Sequence, residues 1–247
     1  MKINWMRFAA PPRFYMLTGQ LLPWLWLLSA LLAAAGLYVG FFVAPTDFQQ
    51  GEGYRIIFVH VPASWMSMLI YVVVAFWSAV GLVMNTRLSF MMAQALVPTG
   101  AMFTFLSLWT GALWGKPMWG AWWVWDARLT SELILLFLYL AMLALKAAID
   151  DPRRGDRACG LFALVSVVNV PVIYFSVKWW NTLHQGATVS VTRAPSMAHD
   201  MLLAMLLMVF AAWAYSIAVA FVRVRVLILE RDIDTEWVKR ILRKSAA

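Results

Sequence analysis

The side chains best suited to chemistry are three histidines and a short run rich in tryptophan. His60 sits in Phe58-Val59-His60-Val61-Pro62, His184 follows Trp179-Trp180, and His199 follows Pro195-Ser196. Five of the 15 Trp fall between 114 and 125: Trp114, Trp119, Trp122, Trp123 and Trp125. A neutral imidazole on each face of a planar macrocycle is a common way to hold haem iron. Clustered indoles offer a flat apolar bed for such a ligand. The competing reading of the Trp run is an aromatic belt, since Trp favours the membrane–water boundary. A belt is spread over many helix ends, however, whereas here one short stretch with Gly115, Pro117 and Gly120 concentrates the rings. Gly and Pro also disfavour a long regular helix through it. His60 and His184 are the expected pair. His199 is the spare, because the residues before it read as a helix start.

Elements that could position these groups follow from composition. The 247 residues are 63% apolar and 13% charged, with mean hydropathy +0.75. Soluble domains run nearer 45–50% apolar and about 25% charged, so an ordinary water-soluble fold is excluded. A bilayer core takes roughly 20 apolar residues as helix. Six runs qualify, at about 22–44, 57–84, 91–113, 129–149, 158–177 and 197–222. The expected fold class is all-α: one polytopic membrane domain, 1–247, with six transmembrane helices. Ala33-Ala34-Ala35 mimics a signal-peptide cleavage site, but the apolar run continues to Ala44 and reads as a retained span. Pro98 and Pro171 lie inside spans, where neighbouring helices absorb a kink. Gly36-x-x-x-Gly40 permits close helix packing.

Charge sets orientation. Lys2, Arg7, Arg13, Arg87, Lys146, Arg153, Arg154, Arg157 and the seven cations from Arg223 onward fall on the side of the termini. Arg55, Lys116, Arg128, Lys178 and Arg193 fall on the other. The bias predicts cytoplasmic termini and outward loops at about 45–56, 114–128 and 178–196. In the cytoplasmic tail, 223–247, Ile233, Trp237 and Ile241 recur at helical spacing. That stripe fits a helix lying on the inner membrane surface; docking to a cytosolic partner is the alternative.

The net charge of +8 does not signal nucleic acid, because the cations flank apolar runs rather than forming one soluble patch. Cys159, the single cysteine, excludes an intramolecular disulfide and a Cys-x-x-Cys-His attachment site. Gly111-Ala-Leu-Trp-Gly115-Lys116 falls one residue short of a phosphate loop, and Pro117 replaces its Ser or Thr. No ATPase or other catalytic site is expected. Mid-span ionisable groups are scarce, which disfavours a proton relay. Glu132 is the nearest candidate, read as an acid in the first turn of span four. Haem carries two carboxylates, and Arg can hold a carboxylate bidentately. Arg55 and Arg128 are the candidates for them. Ordinary loop charge, or a pair of Asp126 with Arg128, is the alternative.

The string WGKPMWGAWWVWDARLTSE, Trp114 to Glu132, closely resembles the WWD signature of haem-handling membrane proteins. With six spans, His60 and His184, the whole chain resembles the cytochrome c maturation protein C family, also called haem exporter protein C. The resemblance implies haem b, held non-covalently at the periplasmic face of a bacterial inner membrane, between His60 and His184. It implies haem contact by the loop of Trp114, Trp119, Trp122, Trp123, Trp125 and Asp126. It implies delivery to a periplasmic haem chaperone, cytochrome c maturation protein E. It also implies a small membrane protein D and ABC transporter subunits A and B as partners. Two other functions use the same elements. A membrane b-type cytochrome would share the ligands but keep its haem. A permease subunit would need polar residues along a path through the spans.

Overall fold

The structure is a computed structural model, and it describes residues 10–180, 182–184, 189 and 194–245. Lys2, Arg7 and Arg193 lie outside these residues. The described chain is helical, and its only strand-like pairing is a single bridge between Asp47 and Gly51. Six helical stretches are long and apolar enough to cross a membrane, as the composition predicts.

Helix α1 spans Pro11–Tyr38 and runs on as a wider π turn through Val39–Val43. A short 3-10 turn, Glu52–Ile56, leads into α2, Ile57–Met84. Only Asn85 and Thr86 separate α2 from α3, Arg87–Trp119, and Asn85 makes the reversal with φ 51°. Asn is among the few residues besides Gly that tolerate this left-handed conformation. Helix α4, Ala127–Ala147, is capped by Asp126, whose Oδ1 accepts from the Leu129 amide at 2.8 Å. Asp151 caps α5, Pro152–Ser166, in the same way, and Pro152 sets its first turn. Then come α6, Asn169–Trp179, α7, His199–Arg231, and α8, Glu236–Ser245.

Several boundaries depart from expectation. The first span begins at Pro11, well before the expected residue 22. The fifth is two helices, broken at Val167-Val168. Pro171 has no amide proton for the Val167 carbonyl, which instead accepts from the Val170 amide at 3.0 Å. The seventh helix runs nine residues beyond the expected end at 222, so part of the tail is transmembrane helix prolonged. Of the tail stripe, Ile233 falls in the turn before α8 and is exposed, while Trp237 meets the Tyr15 ring at 5.9 Å. That contact fixes α8 against the start of α1, so both ends of the described chain lie at one end of the bundle.

Helix α3 is central, packed against α2, α4 and α7; α2 also meets α5 and α7. Tyr71 and Tyr139, both fully buried, meet edge to face at 4.9 Å. The Tyr139 hydroxyl donates to the Ser67 carbonyl at 2.8 Å, so the buried phenol stays paired. Gly100 makes room for that ring, since a Cβ there would lie 2.2 Å from Tyr139 Cζ. Helix α1 packs mainly on α7 and leaves Trp24, Leu27, Leu31 and Phe42 exposed. Large apolar side chains on the outside suit a helix solvated by lipid.

Candidate functional site

The N-terminus of α2, the C-terminus of α3, the start of α4 and the segment after α6 meet at the end of the bundle opposite the chain termini. They enclose a cavity of about 70 Å³, lined by His60, Ser64, Ser107, Gly111, Trp114, Met118, Trp119, Trp123, Arg128, Glu132 and His184, among others.

His60, in the first turn of α2, is 7% exposed. Its Nδ1 lies 3.0 Å from the Thr110 hydroxyl on α3. Thr110 donates to its own helix, to the Leu106 carbonyl at 2.6 Å. That leaves its oxygen to accept from Nδ1–H and places the lone pair of the ring on Nε2. Trp114 stands edge-on to the His60 ring at 5.6 Å and is steered by a hydrogen bond from its Nε1 to Gln50 Oε1, 2.8 Å. Gly111 lies directly under the imidazole; a Cβ there would sit 3.1 Å from His60 Cε1.

His184 reaches the same place from the segment after α6. Its ring centre is 6.2 Å from that of His60, with the planes 34° apart, and 6.4 Å from Trp119. His199 does not join them. It opens α7, its side chain is 87% exposed, and its Nδ1 faces Asp200 at 3.7 Å.

The tryptophan run divides in two. Helix α3 does not stop before Trp114, as Gly115 and Pro117 suggested, but continues to Trp119. Pro117 costs only the hydrogen bond to the Leu113 carbonyl near the helix end. Gly115 lets the Trp119 indole fold back, with Cε3 3.1 Å from where a Cβ would stand. Gly120, at φ 78°, then ends the helix, its N–H donating a hydrogen bond to the Lys116 carbonyl at 3.0 Å. The loop expected at 114–128 is therefore shorter, confined to the residues between Trp119 and Ala127. Trp114, Trp119 and Trp123 line the cavity, whereas Trp122 and Trp125 are 56% and 76% exposed. Asp126 is not among the lining residues; it caps α4.

The two arginines also part. Arg128 lines the cavity and donates to the Ile173 carbonyl at 2.8 Å. Arg55 turns away, bonding Glu52 and the carbonyls of Gly40 and Ala44, where it clamps the end of the first span. Lys116 bonds the Gly120 carbonyl, and Lys178 lies 5.7 Å from the centre of the Phe175 ring.

Beneath His60 runs a polar seam absent from the sequence reading. Ser64 and Ser107 share a hydrogen bond of 2.6 Å, and Ser67 donates to Glu132 Oε1 at 2.7 Å. Glu132 is thus not in the first turn, since α4 already begins at Ala127. It is 5% exposed and reaches across to α2. Three buried polar atoms near the cavity have no hydrogen-bond partner among the described residues: Trp123 Nε1, Asp126 Oδ2 and Glu132 Oε2. Such groups cost about 1–3 kcal/mol each when left unsatisfied. The signal for the seam was present as periodicity. His60, Ser64 and Ser67 on α2, and Ser107, Thr110 and Trp114 on α3, follow helical spacing along otherwise apolar spans.

The family model for heme exporter protein C matches residues 4–239. The chain belongs to the heme exporter protein C family. It is similar to heme exporter protein C of Escherichia coli K12, 45% identical over 239 residues and 96% of each chain. It is also similar to heme exporter protein C of Bradyrhizobium diazoefficiens, 48% identical over 203 residues, covering 82% of this chain and 77% of that one. A ccmC-like mitochondrial protein of Marchantia polymorpha, whose name refers to cytochrome c biosynthesis, is 43% identical over 191 residues, 77% of this chain and 80% of that one.

Proposed function

We propose that the chain receives haem b at its outward, periplasmic face and presents it to a periplasmic haem chaperone during c-type cytochrome maturation. The carrying observation is the pairing of His60 and His184. Two imidazoles that share one metal through metal–nitrogen bonds of about 2.0–2.1 Å bring their ring centres to roughly 6 Å. The observed separation is 6.2 Å. Thr110 on His60 Nδ1 leaves Nε2 as the donor to a metal.

The surroundings fit the rest of the molecule. Trp114, Trp119 and Trp123 supply apolar ring faces, and Arg128 is the cation placed to meet a carboxylate. The unpartnered Trp123 Nε1 and Glu132 Oε2 on the lining await a polar partner. Arg55 supports the frame rather than the ligand. The enclosed volume, about 70 Å³, is far below the ~300–1,000 Å³ of a pocket that buries a drug-sized ligand. The cavity would therefore take only one edge of haem, against Trp114, Trp119 and Trp123, and leave the rest of the macrocycle outside it. A cargo held at the rim, with one ligand on a connecting segment rather than a helix, is suited to release. This favours a donor over an electron carrier, which keeps its haem.

The charge bias supports cytoplasmic termini with the cavity on the opposite, periplasmic side, and the bacterial relatives support a bacterial inner membrane as its setting. The names of the relatives point to an exporter assembly. In it, subunits A and B supply ATP hydrolysis, protein D is a small membrane partner, and cytochrome c maturation protein E is the acceptor. This chain works there as a single membrane unit without catalytic chemistry.

Haem counting tests the reading. The protein purified from cells lacking the periplasmic acceptor is expected to carry close to one haem, and to lose most of it when the purified acceptor is added. Haem that stays bound through redox cycling and is not taken by the acceptor would identify an electron carrier instead.

A further inference from the structure

A second cavity lies at the other end of the bundle, where the chain termini are. It is a groove of about 320 Å³ between α4 and α7, with α3 as its floor. Its walls are apolar: Leu143 is 37% exposed and Val226 48% exposed on facing helices, and Val97 and Pro98 form the base. A groove that opens sideways between two membrane helices faces acyl chains rather than water.

One end of this groove is charged. Gln94, Lys146, Arg223 and Glu230 line it. Behind them Asp156, 3% exposed, is the shared anchor of the cluster. It takes Lys146 at 2.9 Å, Arg231 at 2.6 and 2.8 Å, and a hydrogen bond from Gln94. A single carboxylate thus holds two cations. Arg223 adds a third charge, and it has no carboxylate within 4.0 Å among the described residues. Its Nη1 bonds the Ala95 carbonyl and the Thr99 hydroxyl, and among the described residues its other N–H groups have no partner. Against Lys146, Arg223 and Arg231 stand Asp156 and Glu230, so the cluster is one negative charge short of neutrality.

We propose that this groove binds one anionic phospholipid of the leaflet on the side of the termini. An acyl chain lies along Leu143 and Val226, and the phosphodiester meets Arg223 and the edge of Lys146. A phospholipid with a net charge of −1 balances the cluster. A zwitterionic one brings its own cation and does not. Basic pockets between helices are a known form of headgroup recognition. The lipid would splint α4 to α7 across α3. This inference is independent of the haem reading, because the groove and the haem cavity share no residue.

The test is native mass spectrometry of the full chain in neutral detergent, titrated with phosphatidylglycerol and, separately, phosphatidylcholine. One phosphatidylglycerol is expected to bind before any phosphatidylcholine. Arg223→Gln should weaken that binding about fivefold. Val226→Trp, which fills the groove without touching charge, should remove the same lipid even if the arginine variant folds poorly. Lys239→Gln, on α8, should change nothing. Equal binding of the two lipids would overturn the proposal, as would normal phosphatidylglycerol binding by both groove variants. So would loss of the lipid only in Lys239→Gln, which would place it on the basic tail. Displacement of the lipid one for one by added haem would assign the groove to haem instead.

Discussion

Replacing both His60 and His184 by Ala is expected to abolish the paired-imidazole absorption spectrum of the purified protein and to bring its haem content close to zero. In the proposed reading the two rings, 6.2 Å apart, would hold the iron, and the lining would otherwise offer only indole faces and a single cation from Arg128. Apolar contact with three tryptophans is not sequence-fixed chemistry and retains haem only weakly. Single variants should behave unequally. His60 is buried and held by Thr110, so its loss removes the pre-oriented ligand. His184 stands on a connecting segment, so in His184→Ala free imidazole should restore the spectrum by entering the vacated position. His199→Ala should be indistinguishable from the parent, because that side chain is 87% exposed and faces Asp200. An unchanged spectrum in the double variant would show that the iron is held elsewhere.

The second large effect is expected at Gly111. Its Cβ position lies 3.1 Å from His60 Cε1 and 3.6 Å from Nδ1. Alanine would press on the ring and could be absorbed by a shift of a few tenths of an ångström. Valine would put a branched carbon into the imidazole and force it off Thr110. Overpacking of this kind costs about 1–3 kcal/mol, which a six-helix bundle survives. Gly111→Val should therefore keep its helical circular dichroism while haem retention falls at least about tenfold, the equivalent of ~1.4 kcal/mol. Gly111→Ala should fall between. Full haem retention by the valine variant would mean that the ring position of His60 is not what holds the ligand.

Much of this was legible beforehand, for physical reasons that also explain the gaps. Six spans were readable because crossing a bilayer demands long apolar runs, and nothing else in a chain of this length needs them. Their ends were not, because a helix continues past the apolar run as long as its backbone remains satisfied. So α1 starts at Pro11 and α7 runs to Arg231. Pro117 and Gly115 looked like breakers by type, yet position decides. Pro117 is close enough to the helix end to forfeit one hydrogen bond only, and the stop comes from Gly120 with its positive φ. Pro171, in contrast, sits where the broken ladder divides a span in two.

At the site, residue type is enough to single out His60 and His184, whose rings the fold brings to 6.2 Å of each other, but not to tell Arg55 from Arg128. Both arginines flank the motif, and only the fold shows that Arg55 is consumed by backbone carbonyls of the first span. The same holds for the indoles. The sequence shows five within twelve residues, while helical continuation to Trp119 turns Trp114 and Trp119 inward and leaves Trp122 and Trp125 outside. The serines below His60 carry little signal in the sequence, because single hydroxyls in membrane helices commonly bond their own backbone, and Glu132 reads there only as an acid near a helix start. Only their shared face reveals that they form a seam across α2, α3 and α4.

The most direct measurement is an experimental structure of the haem-loaded protein that locates the iron. It should lie between His60 Nε2 and His184 Nε2 at about 2.0–2.1 Å from each, with the macrocycle against Trp114, Trp119 and Trp123. Iron bonded to only one of these rings, or to Met118 or His199, would contradict the account.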